Sequence, residues 1–371
     1  MDKKKRVLHV VSAMNRGGAE TLLMNVYRNI DRDRIQFDFV SHRSVEGDFD
    51  REICQLGGKI YRVKSLGQSG LFSYISALRG IMVSEEYAAV HAHTDYQAGF
   101  PLLAAKRAGI KRRICHSHSN HFPKGNRLKE RALLKVLQMV ITRAATDYCA
   151  CSQEAAQFLY GNRQGVHLLK NGIDIDSFLG EMEPPQARSV RQELGIPTNA
   201  KLIGHIGHFS PSKNHSFMLR LLKELVTERS DIFLILVGGG PLREEIEGEA
   251  RRLGVDDHVR FLGVRSDAPR LMKAFDVFLF PSIYEGFGIV AIEAQSAGTP
   301  CIIADSVPKS VDMGLGLVSF VSLQDSLAEW TKQIHKAFLT EQISNEAIVS
   351  KISSAGFDIK QNVSEWLGLY G

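Results

Sequence analysis

The chain lacks any hydrophobic run of the roughly 18–20 residues that a membrane-spanning helix requires, so no spanning segment is expected in its 371 residues. Cysteine is scarce. Cys54, Cys115, Cys149, Cys151 and Cys301 make an odd number with no Cys-x-x-Cys pair. That argues against a disulfide framework or a cysteine zinc site and points to reduced thiols in a cytoplasm. Neither half carries G-x-G-x-x-G after a first strand, which argues against a dehydrogenase, and no glycine loop ends in the Lys-Ser/Thr of a P-loop. The basic start through Lys5-Arg6 precedes only a short stretch, Val7 to Ala13, which contains His9. That is too short for the apolar region of a secretory signal, and none is expected.

What is present is ordinary for a globular protein, with 44% apolar and 23% charged residues. At roughly 100–200 residues per domain the length suggests two domains. The net charge of +5 is unevenly spread. Residues 1–175 carry 27 Lys and Arg against 16 Asp and Glu, whereas residues 176–371 carry 19 against 25. A basic first half suits an anionic lipid surface, a polyphosphate or nucleic acid. Mutual attraction of two domains is the plainer alternative.

Short β-branched runs alternate with helical stretches. In the first half they are Val7–Ser12, Phe37–Ser41, Lys59–Val63, Ala89–His93, Arg113–His118, Asp147–Ser152 and Val166–Lys170. The rhythm pauses over Glu181 to Ala200, where Pro184, Pro185 and Pro197 mark a linker. It resumes with Leu202–Gly207, Ile232–Gly239, Val259–Gly263, Val277–Ser282, Pro300–Ala304 and Leu317–Val321. Two such series predict an α/β protein of two doubly wound parallel-sheet domains, 1–175 and 176–371. The tail beyond Leu327 reads as helical, with Trp330 and Trp366 as anchors, and its return to the first domain is left open. Ligands of such sheets bind beyond the carboxyl ends of the strands, so the loops there hold the candidates.

Gly17-Gly18-Ala19-Glu20 follows the first strand and opens a helix, where backbone N–H groups attract an anion. A tight turn would use the same glycines. His91 and His93 end one strand, His116 and His118 another, and His121 follows. Each pair at i, i+2 shares a strand face. No Cys or Glu completes a ligand set, although Asp95 is close, so a polar cluster is favoured over a metal. Asp174-Ile175-Asp176 spells D-x-D but sits in a turn-rich junction after Asn171-Gly172, where Asp is a common turn or capping residue. Lys213 lies in a loop after Gly207-His208, where its charge can neutralise a diphosphate. The most telling segment runs from Phe280-Pro281-Ser282 through Glu285-Gly286-Phe287-Gly288-Ile289 to Glu293. A strand stops, a glycine turn follows, and a helix begins. Carboxylates there can each accept two sugar or ribose hydroxyls, and the helix start favours a phosphate.

Together these residues resemble retaining glycosyltransferase family 4, which has the GT-B fold, over nearly the whole chain. Glu285 and Glu293 match that family's E-x7-E element. Asn171-Gly172-Ile173-Asp174, Val237-Gly238-Gly239-Gly240-Pro241, Val259-Arg260-Phe261-Leu262-Gly263 and Gly298-Thr299-Pro300 fit as well. The resemblance implies two Rossmann-like domains facing across a cleft. It implies transfer of a sugar from a nucleoside-diphosphate sugar to a saccharide or lipid-linked acceptor, with retention, as in bacterial exopolysaccharide or capsule synthesis. It also implies roles. Glu293 holds the donor ribose, and Glu285 the sugar hydroxyls, helped by backbone at Phe287, Gly288 and Ile289. Lys213 binds the diphosphate, and Gly17 and Gly18 close over it from the other domain. His118 lies near the transferred sugar, with His116 as the alternative. Leu262, Gly263 and Val264 line the base pocket. No metal or other cofactor is obligatory and no nucleic acid is a partner.

One departure stands out. The family usually has Gly-Arg where this chain has Gly207-His208, and neutral imidazole does not replace a bidentate guanidinium. A protonated His208, Arg16 or Arg265 would have to supply the missing charge. Two other readings therefore stay open: a nucleotide-sugar epimerase of the same architecture, and a weak or inactive sugar-nucleotide-binding subunit. Lys124, Arg127, Lys129, Arg131 and Lys135, interleaved with Leu128, Leu133, Leu134 and Leu137, suggest a peripheral site at the inner face of the cell membrane. An ordinary helix packing its leucines on its own sheet would look similar.

Overall fold

The computed structural model of the chain describes residues 4–119, 127–180 and 190–370. They form two compact units, Met1–Ile173 with Gly356–Gly371, and Asp174–Ala355. His121, Lys124 and residues 181–189 of the proline-rich linker lie outside the described residues, as do the side chains of Arg127 and Leu128.

The first unit is a parallel sheet of β1 (Lys5–Val11), β2 (Ile35–Ser41), β3 (Ile60–Arg62), β4 (Tyr87–Ala92), β5 (Arg112–Ser117), β6 (Asp147–Ala150) and β7 (Val166–Leu168). The spatial order is β3-β2-β1-β4-β5-β6-β7. Helices cover both faces, which explains why the strands are apolar on both sides. Along β1, Val7 and Val11 enter one core with Tyr27, Phe37 and Trp366, while Leu8 and Val10 enter the other with Tyr74 and Leu102. His9 shares the face of Val7 and Val11 by the strand's two-residue period.

The second unit repeats the plan with β8 (Lys201–Ile206), β9 (Ile232–Val237), β10 (Val259–Gly263), β11 (Val277–Phe280), β12 (Cys301–Ala304) and β13 (Val318–Val321). Their order is β10-β9-β8-β11-β12-β13. In each sheet the winding reverses beside the first strand, between β1 and β4 and between β8 and β11. Doubly wound sheets bind ligands at that point.

The tail divides between the units. Trp330, on the helix Leu327–Ala337, is fully buried in the second, where its indole donates to the Ser322 carbonyl at 2.9 Å. Past Ala355 the chain returns to the first unit. Ile173 N–H donates to the Phe357 carbonyl at 2.7 Å, and Ile359 N–H to the Ile173 carbonyl at 3.0 Å. The helix Ile359–Tyr370 then buries Trp366, Leu369 and Tyr370 in the first core. The terminal residues counted with 176–371 therefore pack on the first sheet, because their apolar face completes that core.

Candidate active site

In the second unit the loop after β8 is shaped by close backbone contacts. Gly238 (φ +141) and Gly240 (φ +150) lie against it. A Cβ on Gly238 would stand 2.0 Å from the Gly207 carbonyl oxygen, and one on Gly240 would stand 2.6 Å from Phe209 backbone. No other residue fits those positions. Phe209 is buried, Pro211–Lys213 forms a single 3-10 turn, and Asn214 is left-handed (φ +59). Asn214 donates to the Pro281 carbonyl at 3.2 Å, and Ile283 N–H donates to the Ser212 carbonyl at 2.7 Å. These bonds tie the loop after β8 to the loop after β11.

The consequence is a direct ion pair between Lys213 Nζ and Glu285 Oε1 at the switch point. Their side chains are only 18% and 11% exposed. The ammonium also lies 5.2 Å from the centre of the Phe280 ring. Gly288, at φ +92, caps the helix Ile289–Ser296, and a Cβ there would press on Phe280 at 3.1 Å. At the start of that helix Ala291 N–H already donates to the Gly288 carbonyl at 3.0 Å, while the N–H groups of Ile289 and Val290 before it lie at the positive end of the helix dipole. Glu293 lies further along the same helix, where burial pushes its carboxyl up to about 7.

The other candidates in this unit are more exposed or already engaged. Leu262 and Gly263 (φ +67) end β10, and Val264 beyond them is 50% exposed. His208 is exposed. Arg265 is bonded to both oxygens of Asp267 at 2.8 Å and to Glu193 at 2.9 Å. Its guanidinium is thus neutralised within the unit. Asp174, the first residue of the D-x-D, accepts from Ser177 N–H and Oγ through its backbone carbonyl, as a turn residue does.

In the first unit β1 leads to Gly17, extended at φ −116, and to the helix Gly18–Asn29. A Cβ on Gly17 would stand 2.4 Å from a Glu20 carboxylate oxygen, whereas the space beside Gly18 is open. Arg16 is exposed, its guanidinium 4.9 Å from the Phe49 ring centre. Next to this loop is a feature only half legible in the sequence, a stack of five histidines on one sheet face. His9 and His91 are paired across β1 and β4. His118 bonds His93 at 2.9 Å and His93 bonds His9 at 3.1 Å. His116 bonds His91 at 3.2 Å, and His91 bonds the Tyr370 hydroxyl at 2.8 Å. Trp366 covers the stack, its ring centre 5.1 Å from that of His91 and 5.5 Å from that of His116.

The two candidate histidines differ in place. His116 is fully buried under Trp366, while His118 is half-buried at the end of the chain of rings. Asp95 positions His118 by accepting its backbone N–H at 2.7 Å. Asp95 adopts a left-handed backbone (φ +46), an unfavourable conformation for a residue with a side chain. Sequence reading noted only that it was near. The triplets His9, His91, His93 and His93, His116, His118 bring ring nitrogens within 4.8 Å of one another. Both nitrogens of His91 and of His93 are already spent on ring-to-ring or tyrosine hydrogen bonds, so a metal would have to displace these.

Burial keeps the stack neutral. It lowers His9 to about 3 and His118 to about 4, and holds His91, His93 and His116 well below 6.5. Unfolded imidazoles take up protons near 6.5. Below that pH the unfolded chain binds more protons than the folded one, so stability falls as pH drops from 6.5 towards 4. Glu20, raised to about 7 by burial, and Asp95, raised to about 6, act with the opposite sign. Five imidazoles outweigh two carboxyls, at up to about 1.4 kcal/mol per pH unit for each group. The melting temperature of the first unit is expected to fall between pH 7 and pH 5 in calorimetry. A midpoint that holds or rises would mean that the folded stack accepts protons.

Residues 16–177 match the family described as Glycosyltransferase Family 4, and residues 186–347 match Glycosyl transferases group 1. The chain is 42% identical to EpsF of Bacillus subtilis (strain 168), a protein named as a glycosyltransferase, over 99% of this chain and 96% of that one. It is 25% identical to the UDP-Gal:alpha-D-GlcNAc-diphosphoundecaprenol alpha-1,3-galactosyltransferase of Escherichia coli, over 71% of this chain and 67% of that one. Among solved structures, HepE of Anabaena in complex with UDP-glucose superposes with a TM-score of 0.80 at 24% identity, covering 98% of this chain and 99% of that one. WaaG, a glycosyltransferase involved in lipopolysaccharide biosynthesis, gives 0.74 at 18% identity over 97% and 98%. These two likenesses establish the two-domain GT-B fold.

Proposed function

The chain belongs to glycosyltransferase family 4, and on that premise we propose that it moves a sugar from a nucleoside-diphosphate sugar to a lipid-linked saccharide acceptor, with retention, in surface polysaccharide synthesis. The observation that carries this reading is the Lys213–Glu285 pair at the switch point of the second sheet, beside a glycine-capped helix start. A cation, a carboxylate and a helix start meet where a doubly wound sheet binds its ligand, with Glu293 further along that helix. The diphosphate takes Lys213 and the helix start, which stabilise charge on the leaving group. Glu285, released from Lys213, accepts sugar hydroxyls, and the Glu293 carboxyl bonds the ribose hydroxyls. The first unit binds the acceptor and presents His118, with Gly17 and Gly18 on its anion-binding loop.

Two relatives support the choice of donor. The E. coli enzyme's name includes a UDP-sugar donor and a diphosphoundecaprenol acceptor, and HepE was solved with UDP-glucose. The test is a thermal-shift panel of nucleoside-diphosphate sugars, UDP-sugars first, followed by NMR of product made with the stabilising donor. One donor should raise the melting temperature through ligand linkage, and the new linkage should keep the donor's anomeric configuration. No shift with any donor would sink the site assignment. An inverted product would sink the stereochemical part, and a changed donor with no acceptor present would point to the epimerase.

The acceptor's lipid places the enzyme at a membrane surface. On the helix Arg127–Ala144, Leu137 faces inward, but Leu133, Val136 and Met139 are 50%, 54% and 49% exposed beside exposed Lys129, Arg131 and Lys135. Apolar side chains among cations suit an anionic interface. No described helix is long and apolar enough to cross a membrane. The protein should float with anionic vesicles, and Leu133→Glu with Val136→Glu should abolish this. Flotation unaffected by the double substitution would remove this helix from the contact.

A further inference from the structure

Beyond the histidine stack, the first sheet has a second feature at its carboxyl edge. A cavity of about 530 Å³ opens where β2 and β3 end, lined by His42, Arg43, Val45, Arg62, Lys64 and Gln68 among others. We propose that this cavity binds the phosphate or diphosphate head of the lipid-linked acceptor. The proposal rests on the transferase reading above and names the chemical group that the acceptor must carry.

Charge is the first reason. Three cations line one small cavity, Arg62 paired with Asp50 and Arg43 and Lys64 left over, and the nearby carboxylates are hydrogen-bonded. Asp50 is bonded to Arg62 at 2.7 Å, Glu46 to Arg51 at 2.9 Å, and Asp48 to the Arg16 backbone N–H at 3.0 Å. Arg43 and Lys64 are exposed and have no acidic partner within 4 Å among the described residues. Lone surface cations are common, but here the cavity supplies a common focus. A guanidinium can grip two oxygens of one phosphate while the ammonium acts as a point charge. His42 is held on the cavity wall by a 2.8 Å bond to the Tyr74 hydroxyl. Burial lowers its pKa, so it serves as a neutral wall, and with Arg62 paired to Asp50 the net attraction falls on Arg43 and Lys64.

Apolar exposure is the second reason. Val45, in the lining, is 64% exposed, and Leu71 and Phe72, just past Gln68, are 41% and 82% exposed. An inorganic anion has no use for these side chains. A prenyl chain joined to a phosphate does, since each methylene removed from water contributes. The cavity is also on the edge of the sheet where β1, β4 and β5 deliver Gly17 and His118, as an acceptor site on this unit requires.

The experiment is calorimetric titration of the whole protein with farnesyl diphosphate, inorganic diphosphate and farnesol, and of Arg43→Gln/Lys64→Gln with the same three probes. Both substitutions are at exposed positions and should leave folding intact. Farnesyl diphosphate is expected to bind best and to lose about tenfold or more in the double variant, the loss of one or two charge-assisted contacts. Equal binding of inorganic diphosphate would overturn the lipid assignment and leave a free-phosphate site. Equal affinity of wild type and variant for farnesyl diphosphate would overturn the site itself. Binding of UDP-sugar is measured in parallel and should be unchanged by the double substitution. If wild type binds farnesyl diphosphate but no nucleotide sugar, the transferase reading fails and the anion site stands. Nucleotide-sugar binding without any farnesyl diphosphate binding is the reverse.

Discussion

Lys213→Ala is expected to lower kcat/KM for the donor by about 10²–10³, roughly 3–4 kcal/mol of lost transition-state stabilisation. Two effects add. On the proposed roles, the leaving diphosphate loses its cation as its charge grows. The Glu285 carboxylate, 11% exposed, loses its partner and becomes a fixed negative charge facing the substrate. A charge left buried without its counter-ion costs more than the pair was worth. Lys213→Arg should recover little, because a guanidinium does not fit the site of a compact ammonium held against the Phe280 ring.

The pairing makes a sharper expectation for the double variant. Glu285→Gln alone should lower kcat by removing the sugar contact while leaving Lys213 free for the diphosphate. In Lys213→Ala/Glu285→Gln the carboxylate is no longer there to repel the diphosphate, so the losses should be clearly less than additive. Side chains in one network couple by roughly 0.5–3 kcal/mol. Steady-state kinetics of the four proteins measure this term. Strict additivity would mean that an unpaired Glu285 does not repel the diphosphate when Lys213 is gone and that the two side chains act independently. Undiminished turnover in both single variants would remove the switch point from the chemistry altogether.

Much of this was legible because it is local. Every strand was readable from a short apolar run closed by a turn, since a parallel strand covered on both faces needs little else. Glu285, the glycine turn and Glu293 fall within nine successive residues, so one segment spells out a strand end, a turn and a helix start. The unreadable parts are contacts between distant segments. Lys213 stood alone in its loop, and nothing in the sequence joins it to Glu285, 72 positions away. Arg265 looked available as a substitute cation until Asp267 and Glu193 were found bonded to it. His9 counted only against a secretory signal, although it closes a row of rings with His93 and His118. The left-handed backbone of Asp95 is likewise invisible, because Asp adopts that conformation only occasionally and a single Asp does not announce it. The departure at His208 remains visible in the structure, where an exposed imidazole stands in place of a guanidinium.

Trp366→Ala is expected to be the most destabilising single change, at about 3–5 kcal/mol. The indole is fully buried and seals the histidine stack against the last helix. Its loss opens a large cavity and admits water beside rings whose neutrality depends on burial. For a unit of this size each kcal/mol shifts the melting temperature by roughly 2–4 °C, so the first unit should melt roughly 10 °C earlier. Trp330 lies in the second unit and is the protein's other tryptophan, so its fluorescence still reports that unit in the variant. The second unit's transition and its affinity for nucleotide sugar should hold, while kcat falls, because the row of rings ending at His118 is no longer held in place. Tyr370→Phe, which removes only the hydroxyl bonded to His91, should cost about 1–3 kcal/mol by leaving a buried ring nitrogen unsatisfied. If Trp366→Ala melts within a degree or two of the wild type, the returning helix is an accessory to the first unit. If it melts early with kcat intact, the stack supports the fold and leaves His118 in place without Trp366.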